Sequence, residues 1–187
     1  MKAIILSGGK SSRMGQDKAL MQLGDKLVIE HIIENLSSVF DEIYISGNCA
    51  HYPVSLNIIP DDFPEKGPMG GIYSALKYCK EDVFVCSCDM PFVSVELIQN
   101  ILHEQKENEI NVVRCLEKIY PVLGIYPYSV LDDLEQSIEL SQLKMIDFLE
   151  QQNANYIQLH DDWEEQLLNI NTPQNFKHAE NLITNIK

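Results

Sequence analysis

Ala3-Ile4-Ile5-Leu6 is a run of four apolar residues without alternation, ended at once by Ser7-Gly8-Gly9. Successive residues of a strand point to opposite faces, so a strand with one wet face alternates apolar and polar side chains. An unbroken apolar strand must instead be covered on both sides. Val83 to Cys88 (VFVCSC) is a second run of this kind. Two such strands predict a mostly parallel sheet held between two layers of helices, a three-layer α/β/α architecture. Sheets of that type bind ligands beyond the carboxyl ends of their strands. The residues just after Leu6 and Cys88 are therefore where chemistry is to be sought.

The rest of the chain alternates in the same way. Val28, Ile29, Ile32, Ile33 and Leu36 recur at helical spacing. Glu42 to Ser46 reads as a strand, and Val54 to Ile59 as another, stopped by Pro60. Gly67-Pro68-Met69-Gly70 reads as a turn that leads into a helix from Gly71 to Tyr78. Ser94 is placed to cap a helix through Leu97, Ile98, Ile101 and Leu102. Val112 with Val113, Tyr120 to Tyr126, and Tyr156 to Leu159 read as strands, and Leu143, Ile146, Phe148 and Leu149 mark a helix. Thr172-Pro173 opens a last helix, a cap followed by proline at the first helical position. No repeat, low-complexity tract or linker interrupts the pattern, and 187 residues suit one domain, so residues 1–187 are read as a single domain.

Charge narrows the function. The chain carries 28 acidic residues against 14 Lys and Arg, a net charge of −14. That balance argues against nucleic acid, whose binding rests on cations that neutralise phosphates, and against an anionic membrane surface. The apolar start is too short for a signal-peptide core, and no stretch approaches the roughly 18 apolar residues of a membrane span. Cys49, Cys79, Cys86, Cys88 and Cys115 form an odd set that suits reduced thiols in the cytoplasm. Cys86 and Cys88 lack a second pair at zinc-site spacing and read as small core residues. His31, His51, His103, His160 and His178 are scattered without ligand spacing and are assigned no role.

Within this acidic chain, residues 1–18 hold Lys2, Lys10, Arg13 and Lys18 against Asp17 alone, a net +3, whereas the remainder is −17. Arg13 is one of only two arginines, Arg114 being the other. Gly8 and Gly9, directly after a buried strand, let backbone N–H groups crowd around an anion with no Cβ in the way. Cations gathered on a glycine loop suit a polyphosphate, although a solvated turn would use the same glycines. Two look-alike motifs fail. Gly9-Lys10-Ser11 mimics the end of a Walker loop, but Ile4 stands where that pattern needs glycine. The dinucleotide fingerprint G-x-G-x-x-G fails because Gly8 and Gly9 are adjacent and Gly15 lies too far on.

The stretch L-S-G-G-K-S-S-R-M-G-Q-D-K-A-L, from Leu6 to Leu20, resembles the signature of the small nucleotidyltransferases. Within them it is most similar to the molybdenum cofactor guanylyltransferases, which join GMP to molybdopterin. Ser7 stands where many relatives have alanine. The resemblance implies a Rossmann-like nucleotidyltransferase fold in which Leu6, Ser7, Gly8 and Gly9 contact nucleotide, while Arg13 and Lys18 neutralise triphosphate charge. Asp89, at the end of the second apolar strand, is placed to hold Mg²⁺, which takes one or two carboxylates plus phosphate oxygens and water; a turn aspartate before Pro91 is the other reading. Cys88-Asp89-Met90-Pro91-Phe92-Val93 resembles the family's magnesium motif, which assigns Asp89 to both metal and nucleotide.

Asp61 opens a segment ending in Gly67-Pro68-Met69-Gly70-Gly71 that resembles the family's aspartate and G-P-L-x-G stretch, with Met69 for leucine. The resemblance gives Asp61 a nucleotide contact, with Asp62 the alternative if the register slips, and gives Asn48 another. Asn169-Ile170-Asn171-Thr172-Pro173 is similar to the family's N-x-N-T-P element, and Asn169 and Asn171, alternate residues of an extended segment, are expected on the acceptor side, facing the acceptor or the metal. Tyr120 stands where the family usually has histidine near the acceptor. The implied activity is transfer of GMP from GTP to the terminal phosphate of molybdopterin with release of pyrophosphate. The implied partners are those two substrates and, transiently, other proteins of molybdenum cofactor synthesis or acceptor molybdoenzymes. A cytidylyltransferase acting on the pterin or another small phosphate, and a non-catalytic nucleotide-binding module, are the alternatives.

Overall fold

The computed structural model describes residues 1–7, 18–47 and 56–185. The chain runs β1 (Lys2–Leu6), a 3-10 turn (Lys18–Leu20), the small hairpin β2 (Gln22–Leu23) and β3 (Lys26–Leu27), and α1 (Val28–Ser37). Then follow β4 (Ile43–Ser46), β5 (Asn57–Ile59), α2 (Gly67–Cys79), β6 (Val83–Ser87) and α3 (Val95–Glu104). The last part holds β7 (Asn111–Cys115), β8 (Lys118–Tyr126), α4 (Leu131–Glu139), α5 (Met145–Gln151), β9 (Asn155–Leu159) and α6 (Pro173–Asn185).

The main sheet has the strand order β5-β4-β1-β6-β8-β7-β9. β4 and β6 flank β1 in parallel, β5 extends β4 and β9 extends β7 in the same sense, and β8 alone runs against its neighbours. The expected mixed, mostly parallel α/β/α arrangement is the one found. β1 shows why. Ala3 and Ile5 pack on one face with Phe84 and Cys86, under Ile29 and Ile32 of α1 and Leu97 and Ile101 of α3. Ile4 and Leu6 pack on the other with Val83 and Val85, under Ile72 and Leu76 of α2 and Leu134 of α4. Ala3, Ile4 and Ile5 are all fully buried.

Several boundaries differ from the sequence pattern. α2 begins at Gly67, not Gly71, because Pro68 in a first helical turn needs no N–H partner and its φ is already set for helix. Gly67 supplies the chain reversal at a φ of 64°, which a side chain would resist. The fifth strand is shorter than expected, Asn57–Ile59, and 54–55 lie outside the described residues. α4 was not anticipated. Its apolar positions Leu131, Leu134 and Ile138 are spaced for one helix face, but they are outnumbered by Asp132, Asp133, Glu135 and Glu139. Both expected caps are present: Leu97 N donates to Ser94 Oγ at 3.1 Å and Asn175 N to Thr172 Oγ1 at 3.1 Å.

β8 serves two partners. It pairs with β6 through Leu123 to Tyr126, and its pairing with β7 jumps from Gly124 to Tyr120 between Val112 and Val113. At that bulge, a Cβ on Gly124 would overlap the Asn111 carbonyl oxygen and lie 2.9 Å from Val112 Cα, both of them backbone atoms with nowhere to go. Gly124→Ala is expected to lower stability by about 1–3 kcal/mol, the usual range for overpacking. Urea unfolding followed by circular dichroism checks this, and an unchanged midpoint would refute it.

Candidate active site

β1, β4 and β6 end on one level, with Leu6 opposite both Ser46 and Ser87. The ladder continues one residue further across the strand ends. Ser7 N donates to Ser46 O at 2.9 Å, Cys88 N to Leu6 O at 3.0 Å, and Gly47 N to Ile59 O at 3.2 Å. Ser7 and Cys88 thus extend the ladder at the ends of β1 and β6, and Asp89 follows directly. Ser87 Oγ donates to Asp89 Oδ1 at 2.7 Å, so one carboxylate oxygen is held from within the strand end.

The late segment closes on this edge. Ile170 is fully buried with Leu23, Val28 and Ala179 in a small apolar cluster that docks α6 onto the β2–β3 hairpin. Its backbone N donates to the Asp89 carbonyl at 2.8 Å. Next to it, Asn171 Oδ1 accepts from Lys18 Nζ at 2.7 Å. On the other side, Asn169 Oδ1 is buried with no hydrogen-bond partner among the described residues. Lys18, Asp89 and the two asparagines, drawn from three distant stretches, are thereby gathered at one place.

α2 forms a second wall. Ser46 Oγ donates to the Gly71 carbonyl at 2.9 Å, and a Cβ on Gly71 would come within 3.0 Å of Leu6 Cδ2, so glycine there lets the helix press on the ends of β1 and β4. The amino end of α2 lies at this edge, where its dipole favours anions. Asp61 and Asp62 part company just before it. Asp62 pairs with Lys77 at 2.8 Å on the exposed side. Asp61 Oδ1 accepts from Phe63 N at 3.0 Å and from Ser74 Oγ at 3.4 Å, tying the loop to α2. Burial raises the Asp61 carboxyl above its ordinary range, with the two hydrogen bonds opposing and Asp62 adding to the rise.

Gly8, Gly9, Arg13 and Asn48 lie outside the described residues. Cys86 is a buried core thiol, as expected; burial and then the neighbouring Asp89 carboxylate push it far up, so it is held protonated and unreactive. Among the described residues, no three or more His, Cys, Asp or Glu side chains cluster as a metal cage. Sequence reasoning missed Ser87, Ser46 and Ile170. Ser87 could have been found, because it stands two residues before Asp89, the spacing that returns a strand to the same face. Ile170 read only as a spacer between two amides.

A MobA-like NTP transferase domain model matches residues 3–155. The chain belongs to the MobA-like NTP transferase family. It is 37% identical over 180 residues to a protein of Carboxydothermus hydrogenoformans named "Probable molybdenum cofactor guanylyltransferase", covering 92% of this chain and 91% of that one. Among solved structures, it is similar to molybdopterin-guanine dinucleotide biosynthesis protein A from Archaeoglobus fulgidus, with a TM-score of 0.80 at 25% identity over 99% of this chain and 100% of that one. The 2-C-methyl-D-erythritol 4-phosphate cytidylyltransferase of Thermus thermophilus shares the fold, with a TM-score of 0.70 at 13% identity over 97% and 98% of the two chains. This transferase thus carries the resemblance seen in its motifs along nearly its whole length.

The raised Asp61 carboxyl has a consequence for stability. An acid whose pKa is higher in the folded state disfavours folding once pH exceeds the ordinary carboxylate value of roughly 4. Asparagine keeps the oxygen that accepts from Phe63 N and Ser74 Oγ and removes the buried charge. Asp61→Asn is therefore expected to be more stable than the parent at pH 7, and the gain is expected to vanish toward pH 3. Thermal melts at the two pH values check this; a gain that is the same at both would refute it.

Proposed function

We propose that this transferase moves GMP from GTP onto the terminal phosphate of molybdopterin and releases pyrophosphate. The observation that carries the reading is the joining of Lys18 to Asn171 and of Asp89 to the adjacent Ile170 at the carboxyl edge of the sheet. A fixed cation and a carboxylate at the carboxyl edge of a sheet are the parts a phosphoryl-type transfer needs, since such reactions run on positioning and charge stabilisation. The guanylyl donor and the pterin acceptor are taken from the named relatives, which are matched over nine-tenths of their length.

The acceptor phosphate, already an anion near neutral pH, attacks the α-phosphorus of GTP in line; the new P–O bond forms as the bond to pyrophosphate breaks. No protein nucleophile and no general base are required. Lys18, with Arg13 of the glycine loop, stabilises the charge that gathers on the leaving pyrophosphate. In this reading Leu6, Ser7, Gly8, Gly9, Asn48 and Asp61 are assigned to the nucleotide, and Asn169 and Asn171 to the acceptor side. Residues 1–187 act as one domain.

A Mg²⁺ ion fits the groups present. Asp89 offers a carboxylate oxygen without a hydrogen bond among the described residues, and the buried Asn169 Oδ1, likewise without a partner among them, is a second hard oxygen on the residue next to Ile170, whose N bonds the Asp89 carbonyl. One carboxylate and an amide oxygen suit an ion that otherwise takes phosphate oxygens and water. When bound, it supplies Lewis-acid neutralisation of phosphate charge. Cytoplasmic residence suits the reduced thiols of Cys79, Cys86 and Cys115. No helix among the described residues is long and apolar enough to cross a membrane.

The test is a paired one. Calorimetric titration with GTP, CTP, ATP and UTP in Mg²⁺ is expected to show preference for GTP, and incubation with molybdopterin is expected to yield the guanine dinucleotide and pyrophosphate. Asp89→Ala and Lys18→Ala are each expected to lower turnover by roughly 10²–10³-fold, the scale of losing one charge-stabilising group. Preference for CTP would replace the guanylyl reading with the cytidylyl one.

A further inference from the structure

We propose that Asn171 is a positioning residue for Lys18: its amide oxygen fixes the lysine ammonium where the triphosphate is to lie while leaving its charge uncancelled. The inference rests on the reading of Lys18 as a triphosphate-binding cation, and it gives Asn171 a donor-side task distinct from the acceptor contact expected of it.

The geometry is a closed frame. Lys18 opens the 3-10 turn Lys18–Leu20, whose Ala19 is fully buried, and Met21 N returns to Lys18 O at 3.2 Å. From there the chain enters the β2–β3 hairpin, whose Leu23 packs with Val28, Ile170 and Ala179. Phe176 and Ile183 of α6 add to that cluster, and a Cβ on Gly24 at the hairpin tip would meet Ile183 Cγ2 at 3.0 Å. At the amino end of α6, Asn175 Oδ1 accepts from Asn171 N at 3.3 Å and from Thr172 N at 3.1 Å. The Asn171–Lys18 bond then closes the ring across 153 residues of sequence. A lysine side chain is flexible and loses much rotamer freedom when it is fixed. Here the backbones at both ends of the bond are held by buried neighbours before any ligand arrives.

The chemistry of the partner matters as much as its place. Among the described residues, the hydrogen-bond partner of the Lys18 ammonium is this neutral amide, and no carboxylate lies within ion-pair distance. A carboxylate would hold the ammonium more strongly but would cancel the charge a polyphosphate needs. An amide oxygen orients one of the three N–H donors and leaves the full positive charge to the ligand. Position and charge are thus separable, and two variants of the same residue separate them. Asn171→Leu keeps the charge and releases the position. Asn171→Asp keeps the position and cancels the charge.

Three measurements test this on the full chain: binding of inorganic tripolyphosphate by calorimetry, kcat and KM for each substrate, and the same binding in a Lys18→Met background. Asn171→Leu is expected to lower kcat about tenfold or more and to weaken tripolyphosphate binding several-fold, a loss that an acceptor contact alone would not produce. Asn171→Asp is expected to weaken tripolyphosphate binding at least as much while retaining the parent's melting temperature. In the Lys18→Met background, the effect of Asn171→Leu on binding is expected to disappear, which a merely structural loss would not do, because interacting residues are non-additive and independent ones add. The inference is overturned if Asn171→Leu raises only the KM for molybdopterin, or if it weakens tripolyphosphate binding equally with and without the lysine. A parent protein that transfers no GMP yet shows the Lys18–Asn171 coupling in tripolyphosphate binding would sink the proposed reaction and support the positioning role.

Discussion

Ile4 and Ile5 point to opposite faces of the sheet, and neither touches water. That two-sided burial of β1 is the constraint on which the rest depends. It requires helices on both faces, and the crossover connections that carry those helices keep β4 and β6 parallel to β1. Parallel neighbours end at the same edge. Leu6, Ser46 and Ser87 therefore arrive together, and the chain beyond them has to supply the loops that meet a ligand.

The chain carries a large excess of acid, yet residues 1–18 are cationic, and Lys18 is turned to a neutral amide although acidic side chains are plentiful elsewhere. Acids that serve structure are paired locally and face outward, as Asp62 does with Lys77 and Glu34 with Lys26. Asp89 is treated differently: Ser87 steadies one of its oxygens and Ile170 fixes its backbone, without a cation taking its charge among the described residues. A carboxylate and an ammonium kept apart, each held by a neutral partner, can both act on a bound ligand.

The late segment depends on packing rather than on polar chemistry. Asn169 and Asn171 have their places because Ile170 between them is buried under α6 and the β2–β3 hairpin. An apolar cluster of modest size, joining residues from both ends of the chain, thereby sets the position of polar groups beside it. Lost packing around Ile170 would be felt at Asp89 and Lys18 before it was felt in the sheet.

The sequence by itself determined the layers, since four unalternating apolar residues leave a strand no wet face, and it determined the caps at Ser94 and Thr172, which act within one helical turn. It also placed Asp89 at a strand end, because strand order along the chain and the carboxyl-edge rule are both local readings. It could not show that helix α2 starts at Gly67, that α4 forms from three apolar positions among acids, or which of Asp61 and Asp62 turns inward, because tertiary contacts decide each of these. Only the folded chain joined Lys18 to Asn171 and Asp89 to Ile170. Those bonds span 153 and 81 residues and have no signature in spacing; they exist because α6 packs on a hairpin from the other end of the chain.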